Sequence, residues 1–120
     1  MKINKSQKKL LETKVVSLAT VNMDNTPNVI PIAEAKVVNL DKIIITDNFM
    51  KQTASNLKQN PSVCLAVWSD DGKEGYKFIG EAEYQMEGKW LDFVKNMKEN
   101  EGLAAKAAIM VKISKIIKLC

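Results

Sequence analysis

Between residues 76 and 86 the chain alternates with a period of two. Tyr76, Phe78, Gly80, Ala82, Tyr84 and Met86 fall on one side of an extended backbone, while Lys77, Glu81, Glu83 and Gln85 fall on the other. That pattern is a strand with one apolar face, and it commits the chain to a sheet. Gly80 in its middle predicts a bend or a close approach of another backbone, because a glycine there gives up side-chain packing.

The rest of the chain supplies partners for that strand. Residues 14–22 (KVVSLATVN) are rich in β-branched side chains and predict a strand. Met23-Asp24-Asn25-Thr26 then offers turn chemistry, since Asp and Asn tolerate the backbone a tight turn requires. Residues 28–38 predict one further extended run. Pro31 places it at a sheet edge or a bulge, because proline cannot donate to a ladder. Asn39-Leu40-Asp41 turns into a third strand over 42–46. Asp47 and Asn48 end it and are good N-caps for a helix over 49–59, which Asn60-Pro61 stops.

Residues 62–69 (SVCLAVWS) predict a mostly apolar strand buried on both faces, and 70–75 an exposed loop. Ser6 is the expected cap of a short N-terminal helix to Glu12, with Leu10 and Leu11 inward. Trp90, Phe93, Val94 and Met97 recur at i, i+3, i+4 and i+7, the spacing of an amphipathic helix. Their stripe suits core or subunit contact better than a cofactor box. A last strand covers 107–119. Many short strands with modest helices predict a mainly β fold, a small barrel with flanking helices. The 120 residues accommodate one domain over 1–120.

Several function classes fall away on composition. Histidine is absent, so no histidine triad or proton shuttle exists. The two cysteines, Cys64 and Cys120, fit a buried small hydrophobe and a loose terminal thiol, and no metal site is expected. The 18 basic residues are all lysines, and the net charge of +4 favours anionic partners. Yet arginine, the usual reader of guanine edges, is missing, and the lysines are scattered from Lys2 to Lys118. A nucleic-acid role also expects exposed aromatic platforms, whereas the phase of Tyr76, Phe78 and Tyr84 turns them inward. No apolar run approaches a membrane span, and no apolar segment follows the N-terminal lysines as a secretory signal requires, so a cytoplasmic location is expected. No Walker loop, Gly-x-Gly-x-x-Gly or acidic metal cluster occurs. Chemistry in such a chain would come from a bound cofactor.

One segment, Thr46-Asp47-Asn48-Phe49-Met50-Lys51-Gln52-Thr53-Ala54-Ser55-Asn56-Leu57, runs from a strand end into a short helix. Free backbone N–H groups and the positive dipole end of a helix suit a phosphate. Lys51 adds charge, while the Thr53 hydroxyl and the amides of Gln52 and Asn56 add directional donors. Spacing alone leaves two readings open, a phosphate site and an ordinary capped surface helix, and favours the second.

Three stretches carry a family resemblance. They are Val15-Val16-Ser17-Leu18-Ala19-Thr20-Val21 with the Asp24-Asn25-Thr26-Pro27 turn; residues 43–48 leading into Met50-Lys51-Gln52-Thr53 and Asn56-Leu57; and residues 63–69 leading into Lys77-Phe78-Ile79-Gly80-Glu81-Ala82. Their order and separation over residues 8–118 resemble the FMN-binding split β-barrel family, the group that includes pyridoxamine 5′-phosphate oxidase and small FMN-binding proteins. The resemblance implies a split barrel with FMN as cofactor, a homodimer with the flavin at its interface, and work as an oxidoreductase or electron carrier. It places the FMN phosphate on Lys51, Gln52, Thr53 and Asn56. It lays the flavin ring against Pro31, Ile32 and Ala33 and against Ile45, Thr46 and Asp47. Trp68 matches a strand position near the site and fits plain core equally well. The family's oxidases use arginines at the phosphate and an arginine and a histidine at the substrate. Neither residue type exists here, which argues against oxidation of pyridoxamine phosphate. A deazaflavin, or a non-enzymatic module of the same fold for another anionic ligand, stays open as the alternative; haem is disfavoured without a histidine ligand.

Overall fold

The computed structural model describes residues 2–119, so the expectation for Cys120 lies outside the described residues. Seven strands, β1 (Val16–Val21), β2 (Pro27–Ile32), β3 (Ala35–Asn39), β4 (Lys42–Asp47), β5 (Ser62–Trp68), β6 (Gly75–Gln85) and β7 (Ala107–Lys118), alternate with three helices, α1 (Lys5–Thr13), α2 (Gln52–Gln59) and α3 (Lys89–Lys95). The strands form one antiparallel sheet in the order β2-β1-β5-β6-β7-β4-β3. The fold is mainly β, a split β-barrel. None of the helices among the described residues is long and apolar enough to cross a membrane.

β6 and β7 are the longest strands and form the spine. The period-two face of β6 points inward over most of its length: Phe78 is fully buried and Ala82 nearly so, while Glu81 and Glu83 are exposed. Met86, expected on the same face, lies past the strand's end and is exposed. At Gly80 the register with β7 slips, pairing Ile79 with Lys115 but Gly80 with Ile113. Ser114 is the extra residue, and its Oγ donates to the Ile79 carbonyl at 3.1 Å. A Cβ on Gly80 would sit 2.1 Å from the Lys112 carbonyl oxygen, so the bulge needs glycine.

The barrel interior is filled by Val16, Leu18, Ile43, Ile45, Leu65, Val67, Phe78, Ile109 and Val111, closed below by Leu10 and Leu11 of α1 and Leu57 of α2. A second cluster lies outside the barrel wall, where Leu91 and Val94 of α3 cover Ile44, Ala108 and Met110. This cover corrects one expectation. The strand buried on both faces is β4, which has helix α3 on its back; β5 keeps only one face fully buried and leaves Cys64 half-exposed.

Other boundaries move for identifiable reasons. The single run expected over 28–38 is two strands, because β2 pairs with β1 while β3 pairs with β4 at the opposite edge. Ala33 and Glu34 make that crossing. Pro31 does sit on an edge strand. Asn4, not Ser6, caps α1: its side chain accepts from Gln7 N at 2.8 Å while Gln7 Oε1 accepts from Asn4 N at 2.9 Å. Helix α2 begins at Gln52, later than expected, because the Asp47 carboxylate takes the Met50 N–H and holds 47–50 as a separate turn. The α3 stripe is rotated: Leu91 and Val94 are buried, whereas Phe93 is exposed and meets Trp90 edge-on at 5.4 Å.

Candidate functional site

Beside the end of β2, at one edge of the split barrel, a cleft of about 460 Å³ opens, within the range of small-molecule sites. Its first wall is the end of β2 and the crossing after it, from Ile30 through Pro31, Ile32 and Ala33 to Glu34. Thr46, the turn after β4 (Asn48, Phe49, Met50) and the start of α2 (Lys51, Gln52, Thr53) form the second. The third comes from beyond α3, where a 3-10 turn over Lys98–Asn100 and the loop after it bring in Glu99, Asn100 and Leu103.

The helix start is chemically open. Its N-cap residue, Lys51, makes no side-chain cap hydrogen bond, and the first-turn residues carry no acidic group. The first turn of α2, which borders the cleft, therefore has amides with no side-chain cap and no first-turn carboxylate to neutralise them. Behind them lies a polar network. Asn28 Nδ2 donates to both Thr20 Oγ1 and Thr53 Oγ1 at 3.2 Å. Asn56 Nδ2 donates to Thr20 Oγ1 at 2.9 Å and Asn22 Oδ1 at 2.8 Å, and its own Oδ1 accepts from Gln52 Nε2 at 2.8 Å. Asn56 thus ties α2 to β1 and orients Gln52.

Around the turn after β4, Asn100 is buried and donates through Nδ2 to Thr46 Oγ1 at 2.9 Å and to the Val94 carbonyl at 2.8 Å. Its Oδ1 accepts from Asn48 Nδ2 at 3.3 Å, while Asn48 Oδ1 is buried without a partner. Such an orphan acceptor beside a cleft costs stability until a donor reaches it. Two carboxylates, Glu34 and Glu99, also line the cleft. Partial burial, and then the neighbouring Glu99, raise the Glu34 carboxyl above its ordinary value.

Seven of the residues that sequence singled out lie on this cleft: Pro31, Ile32, Ala33, Thr46, Lys51, Gln52 and Thr53. Four do not. Ile45 is in the barrel core, one residue out of phase with Thr46. Asp47 is fully buried and binds Met50 N and Tyr84 Oη instead of facing the cleft. Asn56 sits one layer behind. Trp68, at the end of β5, is about half exposed; inward Val67 turns it outward, so it belongs neither to the core nor to this wall. Asn48, Asn100 and Leu103 went unnoticed in sequence. In sequence Asn48 offers only a cap within the 46–57 segment, and residues 98–106 carry no periodicity that marks them.

Comparison with known proteins bears on this geometry. The family model for pyridoxamine 5′-phosphate oxidase matches residues 3–120. An uncharacterized protein of Methanocaldococcus jannaschii, MJ0282, is 32% identical over 123 positions, covering 99% of this chain and 82% of that protein. The crystal structure of HupZ from Group A Streptococcus superposes with a TM-score of 0.91 at 26% identity, covering 98% of this chain and 94% of HupZ. An FMN-binding protein from Syntrophomonas wolfei shares the fold with a TM-score of 0.74 at 23% identity, over 88% of this chain and 76% of its own. An F420 reductase shares it with a TM-score of 0.70 at 21% identity, over 90% of this chain and 92% of its own.

Proposed function

The chain belongs to the pyridoxamine 5′-phosphate oxidase family, and on that premise we propose that it binds FMN in the cleft between β2 and the start of α2 and serves as an oxidoreductase or electron carrier. One observation carries the reading: an uncapped helix start bearing Lys51 opens onto an apolar cleft of about 460 Å³. A cation at a helix start and apolar side chains on the facing wall match the two parts of FMN, a charged phosphate and a flat apolar ring. Lys51 supplies charge at the phosphate, and the first-turn amides with Gln52 and Thr53 supply direction. Pro31, Ile32 and Ala33 offer the ring one wall. Asn48, with its unpartnered Oδ1, offers an acceptor that a ring N–H could satisfy after a small side-chain shift. When bound, FMN supplies reversible one- and two-electron transfer; the chain holds it, orients it and keeps water from one face.

Oxidation of pyridoxamine phosphate is not the reaction we assign. With every basic residue a lysine and no histidine, the arginine and histidine contacts for that substrate have no counterpart. Phe49 and Leu103 line the cleft yet stay exposed, an apolar rim that a second copy of the chain would cover. We place the flavin at such an interface. The F420 reductase of the same fold supports a second reading, in which a deazaflavin replaces FMN. Titrating apo-protein with FMN, FAD and a deazaflavin by fluorescence distinguishes them: saturable FMN binding at one site per chain is expected. Tight deazaflavin binding without FMN binding selects the second reading, and no response to any of the three removes both.

A further inference from the structure

Asp47 stands at the end of β4 with its surface fully buried. One carboxylate oxygen accepts from Met50 N at 2.8 Å and lies 3.6 Å from Lys106 Nζ; the other accepts from Tyr84 Oη. Lys106 reaches back to the same turn. Its Nζ donates to the Met50 carbonyl, and its backbone N–H donates to the Asp47 carbonyl at 2.8 Å. The acid and the base of one ion pair therefore hold the two backbone polar groups of Met50, the residue immediately before Lys51. None of the three side chains lines the cleft.

The geometry assigns a positioning role to this trio: Asp47, Lys106 and Tyr84 clamp the turn at residues 48–51 and so present the Lys51 side chain to an anionic ligand. For the identity of the ligand the assignment rests on the flavin reading; for the clamp it rests on the hydrogen bonds alone. The physical case is preorganisation. A surface turn left loose must be ordered when ligand arrives, and that cost subtracts from affinity. Here the turn is ordered by the fold. Lys106 is about half exposed but its partner Asp47 is fully buried. Losing the cation therefore also costs global stability, and exchange at the turn is read relative to that of the barrel strands. Beyond that global cost, the turn is expected to loosen most, because Lys106 Nζ also holds the Met50 carbonyl.

The test compares wild type with Lys106→Met and Tyr84→Phe, each in the native and the Lys51→Ala background. Amide hydrogen exchange of residues 50–54 in the apo-protein reports the turn, and FMN titration reports its consequence. Lys106→Met is expected to speed exchange at 50–54 and to weaken FMN about five- to tenfold. If the clamp acts through Lys51, that loss shrinks to about twofold or less in the Lys51→Ala background. Tyr84→Phe, which removes one donor at nearly constant volume, is expected to act in the same direction and less strongly. Unchanged exchange in both variants, or a loss undiminished by Lys51→Ala, overturns the clamp. Should wild type take up no FMN, the flavin reading fails on its own and the exchange data decide the clamp.

Discussion

Among the described residues lining the cleft, Lys51 is the cation, and Thr53 beside it has a hydroxyl that already accepts from Asn28. Replacing both by alanine removes the charge and one directional group from the helix start. Lys51→Ala with Thr53→Ala is expected to weaken FMN binding about tenfold or more, with the circular dichroism of the barrel retained; unchanged affinity would move the phosphate elsewhere. Glu34 makes a prediction of the opposite kind. Its carboxyl is raised above the ordinary 4.5 by burial and by Glu99. As pH climbs past that value the unfolded chain releases the proton before the folded one, so the group costs stability at neutral pH and not in acid. Glu34→Gln is therefore expected to raise Tm at pH 7, with the gain fading below about pH 4; a variant less stable at pH 7 contradicts the sign. At this scale the sequence was most informative where neighbours in the chain stay neighbours in space. Lys51, Gln52 and Thr53 lie together because one helix turn carries them, and Pro31, Ile32 and Ala33 because one strand end does. Asp47 and Asn56 misled because a buried polar side chain must find protein partners, and those partners, Tyr84, Lys106, Thr20 and Asn22, come from other strands and loops.

The elements themselves were legible where a period or a breaker marks them. β6 follows from its alternation, α2 ends at Asn60 as the Asn60-Pro61 pair requires, and Gly80 marks a true bulge. The break after β2 was not legible, since Ala33 and Glu34 carry no turn signature; only the pairing of β2 and β3 with opposite edges of the sheet reveals it. Nor does local sequence disclose that α3 would lie on β4 and β7, which is why the strand buried on both faces was misidentified. The bulge offers the clearest test at this scale. With 2.1 Å between a Cβ at Gly80 and the Lys112 carbonyl oxygen, neither backbone can yield without breaking the β6–β7 ladder. Gly80→Ala is expected to cost about 3 kcal/mol in denaturant unfolding. A cost below about 0.5 kcal/mol, the size of an ordinary surface change, would mean that the two strands can separate there freely.

At the scale of the whole molecule, β2 and β3 are the two edges of the sheet, and the cleft lies at the β2 edge, between the end of β2 and the β4-to-α2 turn. The end of β4 is itself buried; the turn after it and the start of α2 line the cleft, and the loop after α3 supplies the third wall. The rim formed by Phe49 and Leu103 remains apolar and exposed, the complement of the proposed second subunit. The proposed function depends on a flavin occupying that cleft. The absorption spectrum of the protein as isolated, before and after dithionite, tests that most directly. A yellow protein with oxidised-flavin bands near one equivalent per chain, bleached by the reductant, is the predicted result. A colourless protein that takes up no added FMN contradicts it.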